Sequence, residues 1–142
     1  MTFREFNVLV LSKSSQRKTL VLDDVYIEKV YAAMKRVARD TVSLELLVNS
    51  PKGQKILRKV DNDAYIRYPI KAIAEDDTID MEEALLDAVA YMIMAGMETQ
   101  RAKVYMGLYY TEIENNDAVQ IEATFSTASA NPSNRDPDEV FA

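Results

Sequence analysis

Cysteine, histidine and tryptophan are all absent from the 142 residues. Without the first two there is no thiol nucleophile, no disulfide, no Ser-His-Asp triad and no zinc site built from Cys or His. Glycine is scarce: Gly53, Gly96 and Gly107 lie far apart, so neither a GxGxxG nor a GxxxxGK[ST] phosphate cradle can be assembled. No run approaches the ~20 apolar residues of a membrane span, and Phe6–Leu11 is too short and too poorly flanked for a signal peptide. Lack of cysteine agrees with a reducing compartment, and the expectation is synthesis in the cytoplasm with no membrane partner. A surplus of cations is missing as well. The net charge of -6 and pI near 4.7 argue against a general nucleic-acid binder, which must neutralise phosphates.

What is present is a globular composition, with 48% apolar and 28% charged residues. A chain of this size forms one ordinary domain that removes roughly 68–70% of its unfolded surface from water. Its charge is unevenly placed. Residues 1–71 hold 14 of the 17 basic and 8 of the 23 acidic residues, a net charge of +6, which leaves -12 for residues 72–142. Such a split either pairs internally or lets copies attract one another head to tail, a heterologous contact that closes into a ring when the rotation allows.

Along the chain, Val8–Leu11 is a continuous apolar run that reads equally as strand or short helix. Ser12–Thr19 has loop composition. Asp23 and Asp24 cap a helix over 24–40 whose apolar stripe is Ile27, Val30, Tyr31, Met34, Val37 and Ala38. Lys29, Lys35, Arg36 and Arg39 fall on its other faces and put cations near its C-terminus. Val42–Val48 is either a prolongation of that helix or a strand, and Asn49–Gly53 is a turn. Ile56–Val60 and Tyr65–Pro69, separated by Asp61-Asn62-Asp63, form a β-hairpin with Pro69 at a strand end or edge.

Asp80-Met81-Glu82-Glu83 has capping-box spacing and predicts a helix start at Asp80. Leu85, Leu86, Val89, Met92, Ile93 and Gly96 line its inner face, and Glu82, Glu83 and Asp87 charge its first turns. Gly96 marks a break, and Ala102, Tyr105, Met106, Tyr109 and Ile113 place a second, antiparallel helix over about 98–114. Val119, Ile121, Ala123 and Phe125 alternate with polar residues at strand period. Ser126–Asp138 is nearly pure Ser, Thr, Ala, Asn, Pro and Asp, and the apolar pair Val140-Phe141 follows it. The predicted architecture is mainly α (α+β): a helical body over 1–116 with a β-hairpin near 42–70, and an extended arm over 117–142.

Asp76, Asp77 and Asp80 crowd together, but their spacing fits no EF-hand and helix capping accounts for them. Met92, Met94, Met97 and Met106 read as adaptable core filler. Tyr105, Tyr109 and Tyr110 lack the flanking cations of a base-stacking platform and read as packing or interface residues. No residue is assigned a catalytic or metal-binding role, and no cofactor is expected.

This order of elements, with DNDAYIRYPIKAI (61–73), IDMEEALLDAVAYMIMAGM (79–97) and ETQRAKVYMGLYYTEIE (98–114), resembles the head-to-tail adaptor (connector, or head completion) proteins of tailed bacteriophages over roughly Asp23–Glu114. The resemblance implies a non-enzymatic virion protein made in the host cytoplasm and placed at the head-tail interface. There about a dozen copies, a dodecamer, form a ring beneath the portal protein, continue the channel for DNA passing without sequence-specific contacts, and receive a downstream tail or stopper protein. It also implies a portal-binding arm, here Phe125, Asn131, Pro132, Arg135, Val140 and Phe141. Inter-subunit contacts would set Lys35, Arg36 and Arg39 of one copy against Glu82, Glu83 and Asp87 of the next. The alternative is a small DNA-binding regulator using the basic helix at 24–40, whose affinity would fall steeply with salt.

Overall fold

The computed structural model describes residues 1–14, 22–49, 52–61 and 63–128, with side chains described through residue 116. In chain order these form α1 (Phe3–Lys13), α2 (Asp24–Asp40), β1 (Leu47–Val48), β2 (Ile56–Lys59), β3 (Tyr65–Arg67), α3 (Leu86–Met97) and α4 (Ala102–Ala128). The fold is mainly α with one small antiparallel sheet, as the pattern of periods predicts.

The ambiguous first segment is a helix because its N-terminus is capped reciprocally. The Glu5 N–H donates to the Thr2 hydroxyl at 3.2 Å, and the Thr2 N–H donates to the Glu5 carboxylate at 3.0 Å. Helical period then divides the VLVL run between faces: Val10 joins Phe3 and Phe6 in the core, while Val8 and Leu11 face solvent. α2 begins where expected, with the Tyr26 N–H donating to Asp23 at 2.8 Å. Its other end is closed from afar. Arg58 on β2 donates to the carbonyls of Ala38 (2.9 Å) and Thr41 (2.7 Å), occupying acceptors that the end of a helix leaves open. The helix therefore stops, and of Val42–Val48 only Leu47–Val48 becomes strand.

The sheet has order β1-β3-β2, with registers Leu47↔Ile66 and Lys59↔Tyr65 and an irregularity between Ile56 and Arg58. Ile66 at its centre is fully buried, and Pro69 lies just beyond β3, where its missing N–H costs no ladder bond. The axis of the molecule is α3, which packs against α1, α2 and α4. Apart from Asp87 in its first turn it is apolar on every side rather than along one stripe, and the fully buried Ala88 and Ala90 let the surrounding helices approach it closely. α4 covers it with Tyr105, Tyr109, Ile113 and the buried Asn116. The methionine expectation holds: Met94 is buried and Met92, Met97 and Met106 pack on the core.

Two expectations are corrected. The helix after the acidic loop does not start at Asp80: a 3-10 turn spans Glu83–Leu85 and α3 proper starts at Leu86. Residues 119–125, which alternate at strand period, have helical backbone, because α4 runs unbroken to Ala128. No Gly or Pro stands between Glu114 and Ala128, and extending an existing helix requires no new nucleus. The first twelve residues of the segment expected as an extended arm are thus helical; residues 129–142 lie outside the described residues.

Candidate functional site

The segment joining β3 to α3 is the part of the surface whose local chemistry is not explained by core formation alone. Its backbone is held by two aspartates. Arg67, the last residue of β3, forms a two-pronged pair with Asp80 (2.5 and 2.9 Å), and the same carboxylate accepts the Ile70 N–H at 2.8 Å. Asp77 accepts the N–H groups of Ile73 and Ala74, both at 2.9 Å. The far side is strapped to the start of α1: the Phe3 N–H donates to the Asp77 carbonyl (2.8 Å), the Arg4 N–H to the Glu75 carbonyl (3.0 Å), and the Ile79 N–H to the Met1 carbonyl (2.9 Å).

A loop so tied would ordinarily turn its large apolar side chains inward. Here Ile70 and Ile73 are 69% and 61% exposed, the former the most exposed large apolar residue described. Holding them outward costs the molecule favourable burial, and because the loop is already ordered, a partner meets them with little further loss of entropy. Asp76 stands exposed, with Glu75 beside it, and Arg4 reaches both, at 3.5 and 3.0 Å. Asp77 and Asp80 thus do cap backbone, as expected, but the backbone of the loop rather than of the helix. Among the described residues no three acidic side chains converge as a metal site requires.

The carboxylates at this end are tuned together. Burial pushes the Asp80 carboxyl up, but hydrogen bonds from Arg67 and the Ile70 N–H outweigh it and hold it below the ordinary aspartate value. The N–H groups of Ala74 and Ile73 lower Asp77, and the Thr2 backbone N–H and hydroxyl lower Glu5. Groups depressed in the folded state contribute stability that is complete above their unfolded values, about 3.9 for Asp and 4.3 for Glu, and is lost as pH falls through the folded ones. Acidification below about pH 4 is therefore expected to open this loop before the rest of the molecule. Amide exchange followed by NMR checks this: the Ile70, Ile73 and Ala74 N–H groups lose protection at higher pH than those of α3.

The six residues expected at an inter-subunit contact divide differently. Glu82 is engaged internally, accepting the Ser43 hydroxyl and the Leu44 N–H (2.6 Å). Asp87 pairs with Lys13 at 2.9 Å, and Arg36 with Asp40 at 2.7 Å. Lys35 lies over the Tyr31 ring at 4.6 Å, Arg39 is exposed, and Glu83 is exposed at the 3-10 turn. Part of the charge split is thus matched within one molecule. Asp40 also accepts the Tyr109 hydroxyl at 2.6 Å; burial, and after it this hydrogen bond, pushes that phenol up. Tyr105 and Tyr109 are core residues, whereas Tyr110 is half exposed with its ring edge-on to Tyr109 at 5.3 Å. Of the expected arm residues, Phe125 lies on the α4 backbone, and Asn131, Pro132, Arg135, Val140 and Phe141 lie outside the described residues.

Sequence reasoning missed the exposed isoleucines. The signal available was a β-branched pair beside Pro69 with no place in either a strand or a helix stripe. No helix of the described residues is long and apolar enough to cross a membrane. No protein-family model, curated protein or solved structure matches the chain.

Proposed function

We propose that this chain is a structural subunit of a tailed-phage particle, one copy in a ring that joins the capsid portal to the tail and continues the DNA channel. The observation that carries the reading is the loop between β3 and α3, which displays Ile70 and Ile73 to a partner while Asp80 and Asp77 hold the N–H groups of Ile70, Ile73 and Ala74. Catalysis would call for groups converging in a cleft; this arrangement offers two exposed isoleucines on a tied loop, which suits assembly. The resemblance in element order supports the same reading, as does α4, which continues for twelve residues after its last described buried position toward a polar tail. The alternative, DNA binding through α2, is less well supported, since on that helix Arg36 is tied to Asp40 and the acidic Glu28 holds Lys71 of the neighbouring loop.

Electron microscopy of the full chain mixed with portal rings from the same particle tests the proposal. A second ring stacked on one face of each portal is expected. Portal rings that stay bare in the presence of excess chain refute it.

A further inference from the structure

The loop has a counterpart elsewhere on the same surface. On α4, Val104 and Leu108 are 51% and 41% exposed, one helical turn apart. Between them Gly107 leaves a notch, with open space where a Cβ would stand. This face is flanked by Arg101 and Lys103, both exposed, which are the only two basic residues between positions 72 and 128. The loop is apolar at Ile70 and Ile73 and acidic at its rim, where Glu75 and Asp76 share the single cation of Arg4. Apolar tip meets apolar face, and acidic rim meets basic rim.

One molecule cannot bring the two together. The loop lies at the start of α1, where the Phe3 N–H meets the Asp77 carbonyl, whereas the beginning of α4 lies at the end of α1, where the Tyr105 hydroxyl reaches the Lys13 carbonyl at 2.8 Å. The eleven residues of α1 between them span ~16 Å. We infer that the Ile70/Ile73 loop of one copy seats on the Val104–Leu108 face of α4 in a second copy. Because the two surfaces differ, the contact is heterologous, and each copy has one of each left to offer. A loop tip on a helix face is a small contact, toward the lower end of the ~1,200–2,000 Å² of specific interfaces, and ring closure strengthens it by holding every subunit twice. The inference rests on the proposed ring and replaces the expected contact between α2 and the start of α3.

The absence of cysteine makes the test direct. Ile73→Cys and Leu108→Cys, singly and together, are placed in the full chain and treated with a short bismaleimide; both sites are solvent-exposed, and matched circular dichroism confirms the fold. The double variant is expected to give a ladder of trimers and larger species. The singles give no ladder, and their equimolar mixture gives a heterodimer and nothing beyond. A double variant that cross-links no further than the singles overturns the contact. Sedimentation of the unmodified chain and the portal mixture separate the two failures: an assembly, free or stacked on the portal, that gives no ladder means a ring built through other surfaces, and a chain that stays monomeric and leaves the portal bare removes the ring as well.

Discussion

Phe6→Ala is expected to cost about 3–5 kcal/mol, a fifth or more of the ~5–15 kcal/mol that holds a typical domain. Phe6 is completely buried on the inner stripe of α1 with Phe3 and Val10, and α1 packs directly on α3. The neighbours cannot collapse into the space it leaves. Phe3 is already stacked on Tyr26 at 6.0 Å and is held there, away from the space. Urea unfolding checks the expectation: the midpoint falls while the slope is unchanged. A loss below about 1 kcal/mol would mean that α1 does not pack as described.

Asp80→Asn is expected to lose about 2–3 kcal/mol, below the full cost of breaking a buried pair because Arg67 and Asp80 retain some contact with water. The amide is the same size as the carboxylate and can still accept the Ile70 N–H, but it offers Arg67 one acceptor and no charge where there were two oxygens sharing one. The variant also has a signature that a packing defect lacks. Stability of the natural chain falls as pH descends through the lowered Asp80 value, whereas the variant has no proton to take up there and its profile over that interval is flatter. Parallel profiles for the two proteins would show that Asp80 does not carry this dependence.

Much of the helical body is legible in the sequence because its stripes are long. The 24–40 stripe gives α2 and its cap, and 102–113 gives the buried face of α4. Short elements are decided by contacts between distant residues, which no local window contains. Arg58 closes α2 from twenty residues away, and 42–48 fall beyond that closed end as turn and short strand. Asp80 has a capping position by spacing but is taken by Arg67, so the helix starts later. The α1 helix was decidable locally: Thr2 and Glu5 are a capping box, a stronger indicator than the β-branched run that follows. Of the candidate site, the aspartates were visible, but the backbone they cap is that of the loop and not of the helix. The outward isoleucines were not, since exposure depends on where the chain is going and not on what it is made of.

An α3 that, Asp87 apart, is apolar all the way round has a kinetic corollary. Some seventy residues separate α1 from this rod, whereas α4 follows it after a four-residue connection. Closing the short excursion costs far less chain entropy than closing the long one, so the 86–113 hairpin organises early and the amino-terminal helix docks late. Deleting the Phe6 ring should therefore accelerate unfolding and leave the refolding rate nearly untouched, which stopped-flow measurements on Phe6→Ala can read directly.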